Sequence, residues 1–420
     1  MERYKEYKDS QNVFLREIPV GWNSVKMKYL FIERSEKNHP NEPMLSATQN
    51  EGVILQSKYK NRVVVVNKGF EGLKLVKVGD FVIHLRSFQG GIEYTYDQGI
   101  ISSAYTILKP RSHKNADYFK YLFKSTRFID MLKTCVTGIR EGQNINYSKL
   151  KQYFIPIPPL PEQRAIVSYL DVKCAKCDKL IAGNEKQITL LQELKQRIIA
   201  DAVTRGINKN VKHKKTNVSW LGEVPEHWEL MRNKSLLILT DEKVGNRKGI
   251  TLLSLTKQGV IVRELSEGKG KFPKDFNNYL IVNPNNVVFC LFDVDETPRT
   301  VGLVRKYGML TGAYTNFEVN EKLVLPEFIY YYYLQLDDVK GLRPYYTGLR
   351  KVVKTNTFLQ LRTPTPPLSE QRSIVSYINE KVSKIDLLTS KLQKEIEHLK
   401  EYKQRLISDV VTGQIKVCTE

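Results

Sequence analysis

Two stretches of the chain carry apolar residues at alternating spacings of three and four. The first runs through Val167, Leu170, Cys174, Cys177, Ile181, Asn184, Ile188, Leu191, Lys195, Ile198 and Ala202. The second runs through Val375, Ile378, Val382, Ile385, Thr389, Leu392, Ile396, Leu399, Lys403, Leu406 and Val410. This period predicts two long helices, each with a heptad seam, and two such seams in one chain predict that the helices pair. Each helix covers about 45 residues and so roughly 65 Å, close to two turns of B-DNA at about 34 Å each.

Elsewhere the pattern shortens. "RVVVVN" from Arg62, "GDFVIHL" from Gly79, "SAYTIL" from Ser103, "NNVVFCLF" from Asn285 and "AYTNFEV" from Ala313 are predicted strands. "DYFKYLFKSTRFIDML" from Asp117 and "EFIYYYYLQLDD" from Glu327 are predicted helices. Mixed α/β modules follow. The proline-rich runs "IPIPPLP" and "TPTPPLS" stop regular structure ahead of each long helix. The expected segments are a module over 1–158, a helix over 159–207, a second module over 208–366 and a second helix over 367–420. Glu162 and Glu370 fall in the first helical turns, where a carboxylate suits the positive end of the helix dipole.

Comparing the chain with itself explains this doubling. "PLPEQRAIVSYL" from Pro159 recurs as "PLSEQRSIVSYI" from Pro367, and "KQRIIADAVTRGI" from Lys195 recurs as "KQRLISDVVTGQI" from Lys403. In both pairs the offset is 208 residues, the distance from Gln163 to Gln371 and from Lys195 to Lys403. Fainter echoes lie upstream, among them "LSATQ" from Leu45 with "LSLTK" from Leu253 and "TGIR" from Thr137 with "TGLR" from Thr347. The chain is a tandem duplication in which the helices were kept and the modules diverged.

Charge then points to a partner. Among 420 residues, 66 Lys and Arg face 45 Asp and Glu, a net charge of +21. With 41% apolar and 26% charged residues the composition is that of folded domains, so the positive charge sits on folded surfaces and favours nucleic acid. No apolar run approaches the roughly 18 residues that span a bilayer, and "MERYKEYKDS" is too polar for a signal-peptide core, so a soluble cytoplasmic protein is expected. Five cysteines in so long a chain make no disulfide framework.

Residues for chemistry are sparse. Cys174 and Cys177 form a CxxC without a second ligand pair, and both lie on the seam, which favours packing. The six histidines match no metal spacing, and neither a GxxxxGK[ST] loop nor a dinucleotide fingerprint is present; "EGKGKF" from Glu267 reads as a basic turn. Tyr330 to Tyr333 could stack on bases, but Phe119, Leu122 and Phe123 in the counterpart helix favour an apolar core face.

Two variable modules, each followed by "PPLPEQR" or "PPLSEQR" and a long heptad helix ending near "KQR", resemble the specificity subunit of type I restriction-modification systems over nearly the whole chain. The resemblance implies two α/β target-recognition domains and two long helices paired as an antiparallel coiled coil with pseudo-twofold symmetry. Each domain would read one half of a bipartite site in double-stranded DNA, with the helices setting the spacer. It further implies two docked methyltransferase subunits and, through them, restriction subunits. This subunit would have no catalytic centre and no cofactor of its own, since S-adenosylmethionine, ATP and Mg are used by the partners. Ser369 in place of Pro161, and Asn184 opposite the class of Leu392, are modest departures. The helix starts, Glu162, Gln163 and Arg164 with Glu370, Gln371 and Arg372, are the expected partner contacts.

Base-reading candidates are loops after predicted strands. In the first module these are Arg86, Ser87 and Gln89 of "RSFQGG" and Arg140, Gln143 and Asn144 of "TGIREGQN". In the second they are Arg299 of "ETPRT" and Arg350, Lys351 and Lys354 of "TGLRKVVK". Lys60, Arg62 and Lys257 are candidates for phosphate contact. Each basic residue also has a plain reading as a solvated charge. The rival function classes are a stand-alone, two-headed repressor-like DNA-binding protein and a nuclease with cryptic chemistry.

Overall fold

The computed structural model describes residues 2–49, 51–59, 69–112, 116–138, 144–218, 220–263 and 275–417. "RVVVVN" and "EGKGKF" lie outside the described residues. The chain forms two compact units, Met1–Glu185 with Gln393–Glu420, and Lys186–Leu392. These units cut across the four consecutive segments expected from the sequence, because each long helix, Leu160–Arg205 and Leu368–Val411, gives one half to each unit.

In the first unit a four-stranded antiparallel sheet has the order Phe31–Arg34, Thr106–Pro110, Phe81–Ile83, Glu93–Tyr94. In the second unit the order is Leu237–Thr240, Thr315–Val319, Val287–Phe289, Val301–Leu303, the same topology in the duplicated positions. A smaller ladder accompanies each sheet, Lys74–Val76 with Gly99–Ile101 and Leu280–Val282 with Gly308–Leu310. Gly99 and Gly308 are equivalent for a steric reason. A Cβ would lie 2.2 Å from the Pro43 carbonyl oxygen at the first and 2.6 Å from that of Thr251 at the second. The predicted helix after Asp117 is two helices, Ala116–Leu122 and Thr126–Thr134, because Ser125 caps the second by accepting from the Phe128 amide. Its counterpart is one helix, Pro326–Asp338, opened by a proline in its first turn.

The proline-rich runs are short strands. Phe154–Ile157 pairs with Asn23–Lys26, and Arg362–Thr365 pairs with Glu229–Arg232. Each lies in a two-stranded ladder, where a proline removes few hydrogen bonds.

The seam reads as predicted, with every one of its positions buried or half-buried along both helices. At the helix ends the apolar stripe widens and joins the module core. In the first unit Ile166, Leu170 and Cys174 share one cluster with Leu406, Ile407, Val410, Val411, Trp22 and Phe119. In the second, Ile199, Ala202, Val203, Ile374 and Ile378 join Trp228 and Phe328. The helix segments run antiparallel within each unit. Ile166 lies with Val410 and Val411, while Asp178, further along, bonds Lys403, an earlier residue of the other helix, at 2.6 Å. The second unit repeats that ion pair between Asp386 and Lys195 at 2.7 Å, each residue shifted by the same 208 positions. Both pairs are largely solvated and worth at most about 1 kcal/mol each, so they mark the register while apolar burial holds it. Among the described residues no helix is long and apolar enough to cross a membrane.

The first unit depends on the end of the chain. Tyr118 donates to the Val411 carbonyl at 2.8 Å, Thr126 bonds Ser408 at 2.9 Å, and Gln404 donates to the Lys124 carbonyl at 2.6 Å. Truncation after Lys400 removes the buried Leu406, Ile407, Val410 and Val411. At about 1.5–3 kcal/mol for each side chain, the loss rivals the whole stability of a domain. Limited proteolysis should show Met1–Glu185 degraded while Lys186–Leu392 persists as a resistant fragment; equal resistance of both units would contradict this account.

Candidate nucleic-acid interface

An exposed cationic feature of the second unit is the loop carrying "TGLRKVVK". Thr347 and Val352 exchange backbone hydrogen bonds of 3.0 and 3.1 Å, and Gly348 to Lys351 form the turn between them. Gly348 has φ +73° and Lys351 φ +45°, so the tip reverses through left-handed backbone. The Asp293 amide donates to the Arg350 carbonyl and the Val353 amide to that of Leu291, both at 2.8 Å, which ties the loop to the strand ending at Phe289.

The charges here are partly used within the unit. Lys351 reaches Glu296 at 3.0 Å and Asp295 at 3.4 Å, and Arg343 holds Asp295 at 2.8 Å. The hydrogen bond from Arg343, with that from Lys351, keeps the Asp295 carboxyl below the usual range. Arg350 lies over the Phe292 ring at 5.5 Å and 3.6 Å from Asp293, yet three quarters of its side chain stays in solvent. Lys354 and Lys257 are exposed, the latter in the hairpin turn between Leu253–Thr256 and Gly259–Val262.

In the first unit the loop after Phe81–Ile83 turns through a short helix, Ser87–Gly90. Arg86 and Gln89 are exposed on it. Gly91 closes the loop at φ +86°, where a Cβ would sit 2.1 Å from the Phe123 carbonyl oxygen. Gln89 borders a groove of about 520 Å³ with Gln49, Lys124, Lys133 and Gln404. An adjoining cavity of about 480 Å³ is walled in part by Tyr94, Tyr96, Lys120 and Glu93. Sequence reasoning missed this surface. Its residues come from separate places in the chain, and only Gln89 of "RSFQGG" and the "KQR" repeat containing Gln404 stood out beforehand. Asn144 is exposed at the edge of the two-residue ladder Val136–Thr137 with Asn144–Ile145. Lys60, Arg62, Arg140 and Gln143 lie outside the described residues.

Several expectations need correction. Ser87 is fully buried, and its hydroxyl accepts from the His84 amide at 2.9 Å, so it shapes the loop from inside. Arg299 is mostly buried and pairs with Asp337 at 3.3 Å and Asp338 at 3.1 Å, a fixed internal ion pair. Gln163 and Gln371 are buried, so neither is open to a partner. Gln371 donates to the carbonyls of Pro366 at 2.8 Å and Leu323 at 3.0 Å and accepts from the Leu325 amide at 2.8 Å. Gln163 donates to the Pro158 carbonyl at 2.7 Å, the equivalent of the first of these bonds. The glutamine of the repeated motif therefore clamps the helix start to the segment before it. Glu162 accepts from the Tyr4 hydroxyl and Glu370 bonds His227 at 2.7 Å, while Arg164 and Arg372 stay exposed.

The other chemical candidates are structural. Tyr331, Tyr332 and Tyr333 are buried, and their hydroxyls bond Asn379, Trp220 and Asn233. Cys174 is buried on the seam, which pushes its thiol up to about 11. Among the described residues no group of three or more His, Cys, Asp and Glu side chains could hold a metal ion.

The profile of the family described as type I restriction modification DNA specificity domain matches residues 8–190 and 291–398. The chain is 26% identical over 329 residues to the putative type I restriction enzyme MjaX specificity subunit of Methanocaldococcus jannaschii, covering 74% of this chain and 71% of that one. It is 24% identical over 376 residues to the MjaVIII specificity subunit of the same organism, covering 86% and 82%. A chain solved in work on complex assembly and conformational transition of a type I R-M system has the same fold. Its TM-score is 0.68 at 15% identity, over 95% of this chain and 99% of that one.

The clamp yields a stability test. Gln371→Ala leaves an amide and two carbonyls unpaired and should destabilise the second unit by about 2–4 kcal/mol, whereas Gln163→Ala should cost about half as much. Denaturant unfolding measures both. Unchanged midpoints would show that the clamp adds nothing to the stability of the helix start.

Proposed function

The chain belongs to the type I restriction-modification DNA specificity family, and we propose that its two modules each read one half of a bipartite duplex site for a methyltransferase complex. The observation that carries this reading is a kept skeleton under diverged surfaces. Sheet order, helix ends and the Asp–Lys register pairs recur at matched positions, while the loops and cavities differ. Alike helices suit two copies of one partner, and unlike modules suit two different half-sites. Methyltransferase subunits dock on the helices, where Arg164 and Arg372 are exposed, and restriction subunits join through them. S-adenosylmethionine, ATP and Mg serve those subunits, and the complex works on DNA in the cytoplasm.

Lysines and arginines neutralise phosphates, and a few side chains reach base edges in the major groove. In the second module these are Arg350, Lys351 and Lys354, with Lys257 on the backbone. In the first they are Arg86, Gln89 and Asn144, together with Arg140, Gln143, Lys60 and Arg62.

Co-expression with a methyltransferase subunit in cells lacking other type I systems, followed by mapping of methylated adenines, tests this reading. One bipartite motif is expected, with no methyl transfer by the purified chain alone; transfer by the chain free of partner would overturn it. Arg350→Ala should relax or alter one half-site only, at about 1–3 kcal/mol for a lost bidentate base contact.

The helices predict the spacer. Removing one heptad at matched positions from both helices shortens each by about 10 Å, or roughly three base pairs. Matched deletion keeps the seam in register, so the helices should still pair. The methylation map should then show both half-sites unchanged around a shorter spacer. Methylation at the original spacing would separate the helices from that role.

A further inference from the structure

The tip of the "TGLRKVVK" turn carries a leucine that the fold does not use. Leu349 is fully exposed, with a relative accessibility of 103%, between Gly348 at φ +73° and Arg350. An apolar side chain left wholly in water at the apex of a loop contributes nothing to the unit that presents it. The support beneath it is hydrogen-bonded on several sides. The turn is closed by the Thr347–Val352 pair and by the Lys351 amide to the Gly348 carbonyl at 3.1 Å. It is held from below by the Asp293 and Val353 amides, and from the side by Lys351 on Glu296 and Asp295. Arg350 follows it directly and Lys354 lies further along the chain, both exposed cations.

We propose that Leu349 is a wedge that enters between two stacked base pairs at one step of the half-site read by the second module. This rests on the reading that the module binds duplex DNA, and it adds how one position of that site is recognised. Arg350 and the exposed lysine beyond the turn hold nearby phosphates while the leucine parts the step, as apolar side chains do in other kinked duplexes. Steps differ in how easily they unstack, so the wedge selects sequence without a hydrogen bond to any base. Contact with a thymine methyl would need an apolar group but no rigid support, and the bracing of the turn favours the wedge. The first module has Ile139 at the corresponding place in "TGIR", a residue outside those described.

The test uses the full chain and duplexes enriched by it from a random library, with 2-aminopurine placed at successive positions of the half-site. The parent should brighten the probe at one step. Leu349→Ala should lose that signal and about tenfold in affinity for the selected duplex. Leu349→Met, which keeps an apolar tip, should restore both, and binding to random duplex at low salt serves as the control for folding. If the parent selects a site but no position brightens, or if Leu349→Ala brightens and binds as the parent does, the wedge is wrong. Loss of affinity on replacing one thymine by uracil, with no brightening, would identify a methyl contact and also overturn it. Failure of the parent to select any sequence would defeat the DNA-reading function, and the wedge with it.

Discussion

Each module's core closes only when the start of one long helix and the end of the other are both in place. Ile166 and Leu170 come from the start of the first helix, and Val410 and Val411 from the end of the second, yet all four are buried in one cluster with Trp22 and Tyr118. The second unit solves the same problem with Ile374, Ile378, Ala202 and Val203. A helix stripe made only of seam positions would suffice for pairing; the extra buried positions beside it, such as Ile166 and Ile407, face the modules. Pairing and domain folding are therefore one event. The second unit is built from contiguous chain, whereas the first waits for residues more than 200 positions away. Such non-local closure slows folding, since loop-closure entropy must be overcome before the contacts form.

The skeleton tolerates different interiors. Glu93, on the edge strand of the first sheet, is buried and bonded to Lys124 at 2.5 Å. The residue at the same sheet position in the second unit is Gly302, beside Leu255 and Val260. One unit thus has a charged wall at the cavity near Tyr94 where the other has apolar packing. A buried carboxylate is costly without such a partner, so removing Lys124 alone would destabilise the first unit. Drift of this kind alters the presented surface while the ladder beneath it stays the same.

The repeated motif has a similar division of labour. Its glutamine is internal and its arginine external, within two consecutive positions, Gln163 and Arg164 or Gln371 and Arg372. Adjacent positions on a helix point about 100° apart, so one motif serves both the clamp on the preceding strand and an outer face. Retention of the motif's glutamine reflects folding.

The sequence by itself determined the duplication, the 208-residue offset, the seam and the two inner strands of each four-stranded sheet, because each is a local or periodic pattern. Strands such as Phe81–Ile83 and Val287–Phe289 were legible from short β-rich runs. It did not determine which polar residues are internal. Ser87, Arg299, Gln163 and Gln371 look like surface chemistry in one dimension, but each is held by an amide, a carbonyl or a carboxylate brought to it by folding. Nor could it divide the helices between units or single out Leu349. A hydrogen-bond partner or a neighbour that buries a side chain is fixed by the meeting of distant segments, and only the tertiary structure decides which segments meet.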